Sequence, residues 1–539
     1  MDNAAPRSSR LALLPPGVAL LLFALYSLAE RHTLGEIGYP LDDSYIHLQF
    51  ARELAGGGGL AFNPGELSTG STSPLWTALL SIGFLVPSWA MAWPKLLGLL
   101  FLLATVAATG RLLELLGATP FYQRAGALLV AVTPWLLWSA LSGMEILLFT
   151  SLLLWTMVFA LEEEAPGAAP GLAAPFLAAL AFLARPEGLL LIVLVLFCRA
   201  WRCERSDDGA PRVALRPLGG VLAALVPVAL LVLPLLGFNA AVGGSPWPST
   251  LAAKTVSDGS LLPNGRYLIA ALSVLWDGSH LLLVFLGAGV LVLVLQAAQG
   301  RSSALLPFLF LFGLPLGYSL IASTKAPPPV GNFGRYLFPL LPLVVLLAVL
   351  GLQQALQPFR EGLKLGRFRL PVVKLALVAL VALQSVLALR GVSHYAQNLK
   401  NVADSDVAAA RFLARYLPPD ALIATQDIGA IKLLLPNPIL DLAGIVTPGI
   451  LPTLRSEGPD YWEERILGYM AEKKPDLMVA FADSYPALVR GRIGNFELVA
   501  AFEVEKNVTM AGDQLVILRT PWCRYPGVFP TAASPLPRP

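Results

Sequence analysis

A polytopic α-helical membrane protein with a small extracytoplasmic α/β domain at its C-terminal end is the fold class that this sequence predicts. Three observations carry it. The 539-residue chain is 56% hydrophobic and only 14% charged, with a mean hydropathy of +0.67; soluble domains carry about 25% charged residues. Its apolar residues gather into runs of about twenty, the length that crosses a hydrocarbon core of about 30 Å. From Gly391 onward the charges become denser and the apolar runs shorten to the lengths of strands and amphipathic helices.

Spans are expected at about 11–30, 94–116, 124–142, 144–162, 170–184, 188–201, 214–240, 280–298, 303–323, 335–356 and 371–390, eleven in all. The first follows Arg7 and Arg10, and no small-residue cleavage site precedes the polar loop after it. It therefore reads as an uncleaved helix with its N-terminus inside. A twelfth apolar run, Leu75 to Val86, begins after Pro74 and is too short to span comfortably. It is expected to lie on the outer membrane surface. With that run outside, "RLLELLGATPFYQR", "CRAWRCERSDDGAPR", "QGR" and "QPFREGLKLGRFRLPVVK" all fall on the side of the N-terminal arginines. Basic loops concentrate on the cytoplasmic side, so the charge pattern selects eleven spans and an external C-terminus. The short pair around "RPEG", 171–201, could equally form a broken or re-entrant hairpin without changing that parity.

The expected organisation is a transmembrane domain at 1–390, including an outer loop at 31–94 with surface helices, an α/β domain at 391–520 and a proline-rich tail at 521–539. Within the α/β domain, "DVAAARFLARYL" and "DYWEERILGYMAEKK" read as helices. "DALIAT", "DLMVAFA", "FELVAAFEV" and "DQLVILRT" read as strands. The tail, "TPWCRYPGVFPTAASPLPRP", is expected to be extended.

Composition removes several function classes. A net charge of +3 gives no footprint for nucleic acid. Cys198, Cys203 and Cys523 form neither a disulfide framework nor a metal-ligand pattern, and His32, His47, His280 and His394 are too scattered for a zinc motif. "GGGG" at 56–59 lacks the phosphate-loop pattern and reads as a turn.

What remains is the inventory of the outer face. Asp42 and Asp43 follow the first span in "LDDSYIHLQFARELA". One of them can cap the helix that begins there. Two adjacent carboxylates oppose each other's ionisation, and such a pair can supply one general base and one residue that orients it. His47 falls on roughly the same helical face, as a lining residue or a satisfied surface histidine. Arg185 and Glu187 in "RPEG" form an ion pair, or Arg185 meets an anionic headgroup, since guanidinium offers phosphate two donors at once. Lys254 and Arg335 allow the same two readings. Glu145 in "SGME" opens a span and can cap it, while Asn332 and Tyr336 flank Arg335 in "NFGRY" as further lining candidates.

Taken in order, "LDDSYIHLQFARELAGGGGLAFNPGELSTGSTSPLW", "ALSGMEILLF", "LARPEGLLL", "NFGRYLFPLLPL" and "TQDIGAIKLLLPNPILDLAGIVTP" resemble the GT-C superfamily of integral membrane glycosyltransferases. Within it they resemble the actinobacterial terminal arabinofuranosyltransferase family and its uncharacterised bacterial relatives. The resemblance covers about residues 39–450. It implies an enzyme of the bacterial inner membrane that moves one sugar from a polyprenyl-phosphate carrier to an extracytoplasmic glycan acceptor, with arabinofuranose as a donor sugar. It makes Asp42 the general base, with Asp43 as runner-up, and Arg185, Lys254 and Arg335 the holders of the lipid phosphate. Two carboxylates leave room for a divalent metal, but no third ligand is identifiable, so no metal or other cofactor is predicted. The alternatives are transfer of mannose or another hexose to protein or lipid, and a secondary transporter or flippase. A transporter would carry charges at mid-span and repeated halves; here the charges cluster at one face and no repeat is visible.

Overall fold

The computed structural model describes residues 13–164, 171–205, 211–216, 218–250, 262–321, 331–365, 368–455 and 462–529. These fall into two compact units. One comprises Met1–Leu28, Pro94–Gly237 and Thr255–Ser393; the other comprises Ala29–Trp93, Phe238–Lys254 and His394–Pro539.

The helices follow the apolar runs. They are α1 (Leu14–Leu34), α2 (Asp42–Ala55), α3 (Pro74–Phe84), α4 (Trp93–Leu115), α5 (Pro120–Ala131), α6 (Pro134–Leu141), α7 (Ile146–Glu162), α8 (Ala173–Ala184), α9 (Gly188–Ala200) and α10 (Leu218–Gly243). Then come α11 (Gly265–Ser279), α12 (Leu286–Ala298), α13 (Leu306–Ile321), α14 (Leu341–Ala355) and α15 (Val372–Val402). Among the described residues, six helical runs are long and apolar enough to cross a membrane, and a seventh if α5 and α6 count as one span bent by 54°. The bend sits at Pro134, which cannot continue the hydrogen-bond ladder. Helices α7, α8 and α9 are shorter, at 17, 12 and 13 residues. At 1.5 Å per residue, α8 and α9 each reach only about 20 Å. This is a multi-pass membrane architecture.

The first unit packs through glycines. A Cβ on Gly98 would lie 2.0 Å from the Ala140 carbonyl oxygen, and one on Gly289 would lie 2.0 Å from that of Leu347. Only a missing side chain lets helices in lipid approach so closely. Helix α14 is buried along nearly its whole length. Between α11 and α12 the helix breaks at His280, whose φ is 45°. The Gly278 carbonyl freed by that break accepts a hydrogen bond from the buried Gln384 side chain at 2.8 Å. Two segments expected as plain basic loops form antiparallel hairpins instead, β1 (Trp201–Arg205) with β2 (Pro211–Leu215), and β3 (Leu363–Leu365) with β4 (Phe368–Leu370).

The second unit is built on a five-stranded sheet of order β6-β5-β7-β9-β8, with β5 (Ile423–Thr425), β6 (Ile439–Asp441), β7 (Leu477–Phe481), β8 (Glu497–Glu503) and β9 (Gln514–Arg519). β6, β5 and β7 run parallel and are buried on both faces, whereas β9 and β8 join antiparallel. Strands buried on both faces read as continuous apolar runs rather than alternating ones. Alternate residues feed two cores. Ile423, Val479 and Ile517 face one side, with Ala409, Leu413 and, from the segment after α1, Ile46, Phe50 and Phe62. Ala424, Met478 and Val516 face the other, with Ile466 and Met470 of the helix Trp462–Lys473. The expected helices and four strands are present. β6, and the short α17 (Gly429–Leu434) that follows α16 (Ala408–Tyr416), were not expected.

The Asn-Pro-Gly turn of the first loop closes the edge of this sheet. Asn63 donates its side-chain amide to the Ile439 carbonyl at 3.1 Å and accepts from the Ile439 N–H at 3.1 Å. That covers the exposed ladder of β6 as a neighbouring strand would. The proline-rich tail departs from expectation in its first part. Arg524 donates to Asp476 at 2.7 Å, and Phe529 is buried and stacked on Phe412. The tail is held there because Asp476 is wholly buried and needs a cationic partner.

Candidate active site

Asp42 is the first residue of α2, but it does not cap that helix; the N-cap position is Leu41, and no side-chain cap bond forms. The expectation that one of the two aspartates is the N-cap of this helix is not met, although both lie in its first turn. The carboxylate turns to α17, accepting from the Gly429 N–H at Oδ2 and from the Ala430 N–H at Oδ1, both at 2.7 Å. Ten residues along α2, Arg52 donates to the carbonyls of Leu433 at 2.7 Å and Lys432 at 3.3 Å, at the other end of α17. A carboxylate therefore meets the positive end of the short helix and a guanidinium the negative end. α2 and α17 run side by side in the same direction. Gly429 permits this, since a Cβ there would lie 2.2 Å from the Asp42 carbonyl oxygen.

Asp43 is the next residue and is partly buried. His47, one turn on, is buried on α2. Two further aspartates, which the sequence reading did not single out, stand behind the pair. Asp427 opens the loop into α17, and Asp406 lies on a π-helical turn, Ala403–Val407, that follows α15. Burial raises the Asp42 carboxyl to about 6, against the two amide hydrogen bonds that favour its charge and with the Asp43 charge adding to the rise. Burial, then the charges of Asp42 and Asp43, push Asp427 up to about 8. Burial, then the charges of Asp427 and Asp42, hold Asp406 well above the usual carboxylate range. The signal for Asp427 was present in the block "TQDIG", quoted above only for its resemblance. Asp406 carried none, because its neighbours come from strands and helices far away in sequence.

The first unit holds the second cluster. Arg185 is buried at the end of α8. It donates to Glu145 Oε1 at 3.0 Å and to Glu187 Oε1 at 3.2 and 2.7 Å. Tyr318, which the sequence did not flag, also donates to Glu187. The guanidinium carbon of Arg185 lies 5.2 Å from the centroid of the Tyr336 ring, and that of Arg335 lies 5.4 Å from the same centroid. Arg335 is likewise buried. Arg185, Glu145 and Glu187 thus form a buried ion triad, with Arg335 against the same tyrosine ring. Arg185→Ala should destabilise the protein by about 3–5 kcal/mol, because it leaves two carboxylates buried without their cation. Arg185→Met combined with Glu145→Gln and Glu187→Gln should recover most of that loss in detergent-solubilised thermal unfolding. Equal losses in the single and triple variants would show that the ion triad is not what holds this site.

Lys254 lies outside the described residues, as does the Asn332 side chain. Among the described residues no group of three or more His, Cys, Asp or Glu side chains is arranged to hold a metal ion.

Comparison with known proteins places the fold. A protein-family profile described as a domain of unknown function (DUF8728) matches residues 392–519, which contain Asp406, Asp427 and the whole five-stranded sheet. No curated protein sequence matches the chain. The structure is similar to that of ArnT from Cupriavidus metallidurans in the apo state, with a TM-score of 0.57 at 14% identity over 93% of this chain and 98% of that one. The same protein bound to undecaprenyl phosphate gives a TM-score of 0.56 at 14% identity over the same shares. The apo oligosaccharyltransferase of Archaeoglobus fulgidus gives 0.56 at 12% identity, covering 87% of this chain and 70% of that one. Arabinofuranosyltransferase AftD from Mycobacteria gives 0.54 at 17% identity over 95% of this chain, which spans only 40% of that longer protein. The chain has the GT-C fold that these glycosyltransferases share.

Proposed function

We propose that the chain is a membrane glycosyltransferase that moves a single sugar from a polyprenyl-phosphate donor to an extracytoplasmic glycan acceptor, with Asp43 as the general base. The observation that carries this reading is the division of labour within the acidic pair. Asp42 has both oxygens engaged by backbone amides and anchors α17. The neighbouring carboxylate of Asp43, partly buried one residue on, is assigned to take the acceptor's proton. The GT-C fold supports the reaction class, and the neighbour bound to undecaprenyl phosphate supports a lipid-phosphate donor.

The chemistry follows from charge. The anomeric carbon is already activated, since the lipid phosphate leaves as a stable anion. Cationic groups lower the barrier by meeting the charge that develops on that oxygen in a partly dry site. Arg335 and Lys254 are assigned that task. Arg185 is assigned to holding Glu145 and Glu187, which occupy its donors. Proton removal and charge neutralisation together account for the reaction without a nucleotide. The N-terminus is assigned to the cytoplasm and the residues from 391 onward to the outside, by the positive-inside pattern.

The test is transfer from radiolabelled polyprenyl-phosphate sugars to envelope glycans in membranes carrying the protein, with arabinofuranose, mannose and other hexoses in separate arms. Label should move from lipid-linked donors and not from nucleotide sugars. Uptake of a soluble sugar into vesicles without any lipid-linked donor would replace this reading with transport.

A further inference from the structure

We propose that Asp406 and Asp427 are positioning residues that remain protonated behind Asp42 and so determine that the ionised carboxylates of the cluster are those of the first loop. The part that concerns catalysis rests on the assignment of Asp43 above; the proton retention does not.

Asp406 is wholly buried, and neither of its carboxylate oxygens has a hydrogen-bond partner among the described residues. An ionised carboxylate left in that condition has neither water nor a donor to stabilise it, whereas the neutral acid has far less to lose. Its electrostatic neighbours make ionisation worse. Asp42 and Asp427 both act on it, Asp42 and Asp43 act on Asp427, and Tyr45 responds to Asp406 and Asp42. Several adjoining buried carboxyls cannot all carry charge.

Among the described residues no Lys, Arg or His side chain forms an ion pair with either; the buried His47 lies on α2, which packs on this turn through Tyr45 and Leu48 against Val407. The turn that carries Asp406 packs against α16, α17, β8 and β9. On α16, Arg411 is paired with Glu36, and Arg415 is exposed. On α17, Lys432 gives its ammonium to the carbonyls of Pro436 at 3.2 Å and Asn437 at 2.8 Å. On β9, Arg519 pairs with Glu497 of β8 at 2.6 Å, and Glu503 of β8 accepts from Gln514 at 2.5 Å. Asp404, on the same turn, is 3.4 Å from Lys400. The acidic side chains also lack the arrangement of a metal site among the described residues. Protonation is what remains to neutralise Asp406, and the charges of Asp42 and Asp43 act on Asp427 in the same direction. Asp42 differs from both because two amides stabilise its charge.

The sign of the pH dependence follows. An acid that holds its proton more tightly when folded weakens the fold as pH rises from its unfolded value, near 4, through its folded value. For Asp427 that window ends at about 8. Each retained proton lowers the folding equilibrium constant about tenfold per pH unit within the window.

The experiment uses the full-length protein in detergent, with thermal unfolding followed from pH 5 to pH 9. The wild type should lose stability steadily with rising pH, and Asp406→Asn and Asp427→Asn should each flatten that loss, since asparagine imitates the neutral acid. Infrared spectroscopy should show a protonated-carboxyl carbonyl band in the wild type at pH 7 that Asp427→Asn weakens, a readout available even if Asp406→Asn fails to fold. In transfer assays, Asp427→Asn should move the alkaline limb of the pH profile upward. Unchanged pH slopes in both variants, or no change in the infrared band, would overturn the proposal. So would stabilisation of the wild type by magnesium, manganese or calcium that either variant abolishes, since the cluster would then hold a cation. Flattened slopes in a protein that transfers no sugar would retire the enzymatic reading and leave proton retention standing.

Discussion

Asp43→Ala is expected to lower the rate of sugar transfer by about 10²–10⁴-fold, the contribution of a positioned acid–base group, with the melting temperature of the full-length protein unchanged. Asp42→Ala is expected to behave differently. It removes the acceptor from two backbone N–H groups, at a cost of about 2–4 kcal/mol. Its activity loss should therefore track the lost folded population and recover in part on cooling. The pair of measurements, initial rate and thermal midpoint on the same preparations, separates base from anchor. The assignment falls if Asp43→Ala transfers at the wild-type rate, or if Asp42→Ala abolishes transfer without moving the midpoint. In that second case the two aspartates exchange roles.

Gly429→Ala is expected to be among the most damaging single-methyl additions in the chain. The new Cβ would lie 2.2 Å from the Asp42 carbonyl oxygen and 2.8 and 2.9 Å from its carboxylate oxygens. These oxygens are backbone or amide-bonded, so nothing flexible can yield. Overpacking combined with loss of the Asp42 bonds should cost about 3–5 kcal/mol. Gly468, within the helix Trp462–Lys473, has nothing within 4 Å of an added Cβ. Gly468→Ala should stabilise by about 0.5–1 kcal/mol through helix propensity. Thermal unfolding that ranks the two variants equally would show that α2 and α17 do not depend on the close approach.

Much of the fold was legible because burial in lipid leaves a plain mark. Apolar runs marked helices, although among the described residues six helical runs, or seven with the bent pair, are long and apolar enough to span where eleven spans were expected. A rise in charge marked the strand-bearing segment, although α15 runs on through Gly391 to Val402. The strands Leu477–Phe481 and Gln514–Arg519 were readable because they are uninterrupted apolar runs. β6 was missed because Ile439–Asp441 is only three residues, follows a proline and ends in a carboxylate. The site was half legible. The acidic pair and the "RPEG" arginine announced themselves as charges out of place in an apolar chain. Their partners did not. Asp42 bonds to backbone amides, which no side-chain pattern encodes. Tyr318 sits in an apolar run where a tyrosine passes as an aromatic core residue. Asp406 lies in "ADSD", whose composition suggests a solvated turn, yet it is wholly buried.

The bond between Asp42 and Gly429 joins residues 387 positions apart. That separation sets an order of events during synthesis. At about 5–20 residues per second, α2 waits roughly 20–80 s for the helix it caps. Through that interval Ile46, Phe50 and Phe62 have no sheet to cover them. A fragment limited to 392–519 would face the converse problem on release from the ribosome, with a sheet lacking the three side chains that complete one of its faces. The stretch that a family profile marks out as a domain is therefore only part of a folding unit. The remainder is the segment after α1, made long before the strands that it completes.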